Sequence, residues 1–524
     1  MFNDIILSLL IFFPIVAGIT TLLLPGKNKE SIKISSLYAS FLTFGFSVFM
    51  FLNFENTSSF QFLVERTWYA QLGINYKVGV DGISLLLVMI TTLFTPLAIL
   101  GTWNSIKEKH KAFYSALLLA EGFMIGSAVS LDMFLFYVFW ELMLLPMFLI
   151  VGVWGESKKL AITGKFFVYT MIGSLGMLFS MLYIYQSHFK QFGFYSFDIV
   201  DIYKTNIPLE YSSVLFLLFL SAFAIKAPLF PFHTWLPDTY TESPSSGTVM
   251  LSAVMAKLGV YGMIRFVIPI FPQTFQQYAN ILMVLAVIGT IYGALLALVQ
   301  KDMKRVIAYS SMSHLGYIVL GVFALNVQAL QGSVVQMLNH ALSTGALFLI
   351  AGFIEERVKT RKIENLGGLM NHIPVLGTFF LLALFSSIGL PGLNGFIGEF
   401  LIFLGIFGKN PLISAIATSS VIFGAAYMLW LFQRVMFGKS EKEIKFNFKK
   451  MRENELVVLI PISILIIVLG VYPKPILNKI EPTIINYIDF VKNKKDSNSV
   501  AFSVESLPPI FSLPKEKSNL PQIK

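Results

Sequence analysis

The stretch "SVLFLLFLSAFAIKAPLFPFHTWLPD" (213–238) decides how the chain is read. Ser213 to Ile225 is apolar enough to lie in lipid, yet Lys226 follows at once, then Pro228, Pro231 and His233. Proline lacks an N–H and breaks a helix, and unwound backbone at membrane depth is tolerated only against protein or a wet cavity. The C-terminal end of a half-helix also carries partial negative charge, which favours a cation. The stretch therefore reads as an interrupted membrane span with a proton-accessible lysine at a hydrated break.

The rest of the chain supports a membrane setting. Of 524 residues, 56% are hydrophobic and only 13% charged, where soluble chains carry roughly 25%. Mean hydropathy is +0.73. The expected fold class is an all-α polytopic membrane protein, with the lipid bilayer as its first partner. The net charge of +10 falls in short clusters between apolar runs, which reports topology and not nucleic-acid binding. With no cysteine, disulfides, iron–sulfur clusters and thiolate metal sites are excluded from this chain. The first apolar run, Ile5 to Leu24, lacks a basic leader and is followed by Lys27 and Lys29, so it reads as a span and not a cleaved signal.

A crossing helix needs roughly 20 apolar residues. On that measure spans are expected near 5–24, 32–53, 82–103, 112–131, 133–154, 162–186, 212–230, 247–270, 278–300, 305–325, 332–354, 374–408, 411–433 and 455–473. The twelfth is too long for one straight crossing and contains "GLPGLNG" (389–395). Spans 7 and 12 are thus both interrupted, each beside an ionisable residue. They are an odd number of spans apart, so they run in opposite directions, the mark of inverted repeats around a transport site. Basic residues mark one side: Lys27, Lys29 and Lys33; Lys107, Lys109 and Lys111; Lys158, Lys159 and Lys165; Lys301, Lys304 and Arg305; Arg357, Lys359, Arg361 and Lys362; and the segment 439–452. The other side holds little beyond Arg66, Lys77, Lys190, Lys204 and Lys409, so both termini are expected to face outward. After the last span, "PTIINYIDFV" (482–491) reads as a short interfacial helix and the remaining tail as poorly ordered.

An ionisable residue at mid-bilayer costs roughly 2.5 to 3.5 kcal/mol, so each one demands an explanation. Five stand out: Glu121, Glu141, Lys226, Lys257 and Glu399. Glu141 and Lys226 read either as a buried ion pair tying two helices or as a proton site in which burial and the carboxylate oppose each other on the lysine. Lys257 reads as a relay or as a structural partner for a neighbouring carboxylate. Glu399 follows the second break with no basic neighbour in its own span, which suits a group protonated for part of a cycle. Glu121 lies in "EGFMIG", equally a small-residue packing face. His314 and His340 are relay or packing residues, His340 sharing its helix with Asn339 and Ser343, and His233 sits in the break region. None has metal-ligand spacing. Asp302 with Lys304 and Arg305 reads as a solvated cap. No nucleotide-binding or hydrolytic motif occurs.

Three segments, "FWELMLLPMFLIVGVWG" (139–155), "FAIKAPLFPFHTWLPDTYTESPSSGTVMLSAVMAKLGVYGMIRF" (223–266) and "QKDMKRVIAYSSMSHLGY" (300–317), resemble the antiporter-like subunits of proton-pumping NADH–quinone oxidoreductase, respiratory complex I. Within that family Glu399 is characteristic of the subunit M, or chain 4, group. The resemblance implies two inverted five-helix repeats, spans 4–8 (112–270) and 9–13 (271–433), between an N-terminal segment (1–111) and a loop with span 14 (434–473) followed by the tail (474–524). It implies a mid-membrane axis on which Glu141 pairs with Lys226, Lys257 links the halves and Glu399 is the terminal site. It further implies that NAD, FMN, iron–sulfur clusters and quinone sit in partner subunits, with homologous antiporter-like subunits on both flanks, in a bacterial plasma membrane. A subunit of a multisubunit sodium/proton antiporter, or of a membrane-bound hydrogenase, is the alternative. A membrane scaffold with no transport role would leave the five buried ionisable residues dispensable.

Overall fold

The computed structural model describes residues 3–25, 29–439 and 450–496. Lys27, most of the basic 439–452 loop and the tail beyond 496 lie outside them. Among the described residues thirteen helices are long and apolar enough to cross a membrane, and two shorter apolar helices share one further crossing. Spans 1 to 7 are Ile6–Leu23, Lys29–Asn53, Gly82–Gly101, His110–Val129, Met133–Trp154, Lys159–Phe192 and Leu209–Lys226. Spans 8 to 11 are Ser245–Ile270, Pro272–Leu298, Met303–Ala324 and Val327–Val358. Span 12 is the pair Pro374–Ser387 and Asn394–Phe407, span 13 is Pro411–Phe437 and span 14 is Glu453–Val471.

The most apolar 18 residues of spans 8 and 11 are all buried and those of span 10 are 94% buried, whereas those of spans 2, 13 and 14 are only 33% buried. A helix apolar all round and covered all round is a core element. Spans 8, 10 and 11 are therefore the centre, and the polar residues they carry face protein, not lipid.

Both expected interruptions are present. Span 7 ends at Lys226 and the chain turns before resuming as the helix Trp235–Glu242. Span 12 is unwound between Ser387 and Asn394. Two further irregularities had no counterpart in the expectation of continuous helices. Span 5 divides at Met143, because Pro146 has no N–H for the Leu142 carbonyl. Span 8 is wound as π-helix over Met250–Met255 and again over Met263–Val267, with one stretch of α-helix, Ala256–Gly262, between them. Such single π turns concentrate at functional positions, and Lys257 lies between these two.

The all-helical expectation also omits a β-hairpin. Strands β1 (Gln61–Tyr69) and β2 (Ile74–Val80) pair antiparallel between spans 2 and 3, where β-branched and aromatic residues are dense. Lys77 fastens it, bonded to Asp198 and 3.2 Å from Glu65, while Asp132 accepts from the Asn75 amide at 3.0 Å. On the same face Asp81 caps span 3 and pairs with Arg265 from the end of span 8, both deeply buried.

The C-terminal helix, Lys474–Asp496, is longer than the short interfacial helix expected. It lies across this hairpin face with Ile480, Ile484 and Tyr487 buried. Thr483 accepts from the Gly82 amide at 3.1 Å, and Lys494 donates to the Pro269 carbonyl at 2.9 Å. The opposite face is tied by ion pairs, among them Arg357 with Glu455 at 2.8 and 2.5 Å, Arg305 with Asp238 at 2.9 Å, and Arg361 with Glu156. The 302–305 segment belongs to this network and is not a solvated cap. Asp302 caps span 10 and bonds Arg361 at 3.2 Å, and Lys304 is buried against Glu355 and the Ser243 carbonyl.

Candidate functional site

Lys226 closes the first half of span 7, deeply buried. The break beside it satisfies part of its own backbone. The Leu229 amide folds back to the Ala224 carbonyl at 2.8 Å, and the buried Trp235 indole donates to the Ile225 carbonyl at 2.9 Å. With those carbonyls satisfied, the ammonium turns elsewhere: its Nζ lies 3.6 Å from the centre of the Trp140 ring and makes no hydrogen bond. Glu141, at the end of the first half of span 5, is half-buried with Oε1 unpartnered. The implied pairing of Glu141 with Lys226 is thus not a direct contact in this structure; the carboxylate acts on the lysine through space.

Span 8 runs against the end of span 7, where a side chain in place of Gly259 would collide with the Ala227 backbone. This close approach sets Lys257 deep in the bundle, fully buried. Its Nζ donates to the Ser252 carbonyl inside the first π segment and lies 2.7 Å from His340 Nδ1 on span 11. With the lysine charged, Nδ1 is the acceptor and the ring hydrogen sits on Nε2. Next comes His314 of span 10, its ring 5.4 Å from that of His340 and 5.3 Å from that of Tyr317 one turn further along.

Tyr317 donates to Glu399 Oε1 at 2.6 Å. Gln336 donates to the Tyr317 hydroxyl at 3.0 Å and reaches Glu399 Oε1 at 3.4 Å. The break of span 12 holds this end in register: Asn339 donates to the Asn394 carbonyl at 2.7 Å, and Ser386 to Asn394 Oδ1 at 2.6 Å. Gly389, at φ 70°, passes so close to the Glu399 carboxyl that any side chain there would displace it. Ser313, His314, Ser387, Glu399 and Ser420 line a cavity of about 10 Å³, roughly the room one water occupies.

Four of the eight residues singled out by sequence, Lys257, His340, His314 and Glu399, thus form one buried line completed by Tyr317. Glu141 and Lys226 form a second cluster around Trp140. Glu121 is fully buried on span 4 facing Thr95, with both carboxyl oxygens unpartnered. His233 stacks on Phe230 and meets Tyr292 edge-to-face, with Nδ1 unpartnered. No hydrogen bond or ion pair joins these two to the line. Tyr317, Trp140 and Gln336 were missed by sequence reasoning, although Tyr317 lies one helical turn from His314 and Trp140 adjoins Glu141.

Residues 130–424, which hold both clusters, match the transmembrane family described as NADH:quinone oxidoreductase/Mrp antiporter. NADH-quinone oxidoreductase subunit M of Rickettsia prowazekii is 40% identical over 480 residues, covering 90% of this chain and 96% of that protein. The chain belongs to this antiporter-like family. Its fold agrees with a chain of respiratory complex I from Thermus thermophilus with bound NADH, at 30% identity and a TM-score of 0.84 over 93% of this chain and 99% of that one. A chain of the Mrp complex from Dietzia matches at a TM-score of 0.83 over 94% of this chain and 100% of that one, but at 19% identity, a likeness of fold alone. The match in sequence therefore favours the oxidoreductase branch of the family over the sodium/proton antiporter branch.

Proposed function

We propose that this chain is a proton-translocating, subunit M-type membrane subunit of an NADH–quinone oxidoreductase. The observation that carries the reading is the run of contacts Lys257, His340, His314, Tyr317 and Glu399, buried in the centre of the bundle and spanning three helices and a broken fourth. Each member can bind and release a proton, or pass one by exchanging a donor for an acceptor role. Lys226 with Trp140 and Glu141 is the loading site, where movement of Glu141 toward or away from the ammonium changes its hold on the proton. Glu399 is the terminal site, held by a tyrosine hydroxyl that follows its charge.

In this reading residues 112–270 and 271–433 are the two inverted repeats, with Lys257 near their junction. NADH oxidation, flavin, iron–sulfur clusters and quinone chemistry take place in partner subunits, and the absence of cysteine supports that assignment for the clusters. Homologous antiporter-like subunits pack on the two flanks. The membrane is a bacterial plasma membrane with both termini outside, as the Lys/Arg asymmetry of the loops supports.

The test is proton uptake by vesicles carrying the whole complex, driven by NADH oxidation. Glu399→Gln keeps size and hydrogen bonding but cannot titrate, so it should assemble and move fewer protons per NADH, with Glu399→Asp intermediate. A wild-type proton ratio in the glutamine variant would remove Glu399 from the path.

A further inference from the structure

Away from the proton line, at the face opposite the hairpin, a cavity of about 560 Å³ opens between the ends of spans 1 and 3 and the starts of spans 2 and 4. Its wall carries Lys29, Lys107, Lys109, Lys111 and His110 against one acidic side chain, Glu108. Among the described residues none of these four lysines has a carboxylate at ion-pairing distance, and Lys111 reaches only the Leu22 carbonyl, at 3.3 Å. The nearby Glu30 is already taken by Lys33 at 2.8 Å.

Two further features suit an anion. His110 is 8% exposed; its Nε2 donates to the Lys107 carbonyl at 2.9 Å, and Nδ1, which has no partner, becomes a second donor when a bound anion holds the ring protonated. The N-cap of span 4 is Lys109, which gives no side-chain cap, and His110, Lys111 and Ala112 of the helix's first turn line the cavity. An uncompensated basic cavity of this kind selects an anion, and phosphate is the anion that lysines and a helix N-terminus hold together.

What accompanies the phosphate follows from the walls below. Leu22 of the cavity wall is 46% exposed and shares a face of span 1 with Ile19 and Leu23, at 50% and 79% exposure, so a bare apolar surface runs from the cavity along that span. A free phosphate has no use for such a surface; an acyl chain does. We propose that this cavity binds the phosphate-bearing headgroup of an anionic phospholipid whose acyl chains lie along span 1. Basic pockets between spans at the basic side of a membrane protein suit this class of ligand.

The experiment uses the purified, delipidated complex, offered phosphatidylglycerol, phosphatidylcholine or inorganic phosphate, with bound lipid counted by native mass spectrometry. Phosphatidylglycerol should be retained, and retention should weaken about a hundredfold in the combined Lys107→Gln, Lys109→Gln, Lys111→Gln variant. It should persist in the matching arginine variant and weaken as salt is raised. His110→Gln, a milder change, should weaken retention several-fold and serves where the triple variant does not accumulate. Equal retention of phosphatidylcholine, full protection by inorganic phosphate alone, wild-type retention in the glutamine variants, or crosslinking of Lys109 to an acidic partner protein in native membranes would each overturn the assignment.

Discussion

The Lys226 ammonium rests 3.6 Å from the centre of the Trp140 ring and makes no hydrogen bond, although Glu141 is the very next residue along span 5. An aromatic face holds a cation without providing an oxygen to take its proton. The indole, itself fixed by a 3.2 Å bond from Nε1 to Ser174, therefore gives the ammonium a resting place away from the carboxylate.

Replacing the ring should expose this role. A desolvated cation–π contact is worth about 2 kcal/mol, so Trp140→Leu should weaken the charged state of Lys226 about 30-fold and slow NADH-driven proton uptake several-fold. Trp140→Phe, which keeps a ring, should retain most of the rate. Equal activity in the leucine and wild-type complexes would reduce Trp140 to packing.

Tyr317 should behave as part of one unit with Glu399. A hydrogen bond to a charged group contributes roughly 1.5 to 3 kcal/mol, so Tyr317→Phe should assemble yet pump about 10- to 100-fold more slowly. Because the two residues act through the same bond, Tyr317→Phe added to Glu399→Gln should cost little more than Glu399→Gln alone. Simple additivity of the two losses, read by proton uptake in vesicles, would separate them.

The Asp81–Arg265 pair predicts a different outcome, lost assembly. Removing one member of a buried pair costs roughly 3 to 5 kcal/mol because the other charge is left without a partner. Arg265→Ala should deplete the subunit from membranes, and Asp81→Asn with Arg265→Gln should accumulate better than Arg265→Ala. Immunoblots of membrane fractions decide this, and normal levels of the single variant would count against a structural role for the pair.

The hairpin face should respond to pH through Asp132. Burial pushes its carboxyl from 3.8 up to about 6, against the opposing hydrogen bonds from the Leu135, Asn75 and Phe134 amides. The folded protein therefore binds this proton more tightly than the unfolded chain. The contribution to stability is fully present below 3.8 and is lost as the pH rises through about 6. Asp132→Asn keeps a capping oxygen and cannot titrate, so protease accessibility of the hairpin should vary less between pH 4 and 7. An unchanged pH profile would point to another group, Asp198 first.

Much of this architecture is legible in the chain itself, for identifiable reasons. A charge in an apolar run is conspicuous, which is how Lys226, Lys257 and Glu399 declare themselves, and paired Pro/Gly breaks mark spans 7 and 12. Tyr317 and Trp140 were not legible, because aromatic residues are ordinary in so apolar a chain and only three-dimensional contact distinguishes these two. The π turns around Lys257 leave no composition of their own. The hairpin did have a signal, the β-rich "FLVERTWY" and "INYKVGV" (62–69 and 74–80), but its single charges and short strands look like a loop between spans. The missing Glu141–Lys226 contact reflects how Trp235 satisfies the break, a partner ten residues away that no local rule assigns.

The depth of the polar line has an electrical consequence. Lys257 lies near the middle of span 8, His340 and His314 near the middle of spans 11 and 10, and Glu399 beside the break of span 12, so a proton passing among them travels parallel to the membrane plane. A transmembrane voltage acts on charge in proportion to the fraction of the field it crosses, about 2.3 kcal/mol per charge per 100 mV for a full crossing. Lateral transfer crosses almost none of it. On the proposed path the interior of the line is therefore electrically silent, and a membrane already charged by respiration opposes only the steps that bring a proton in at one end and let it out at the other.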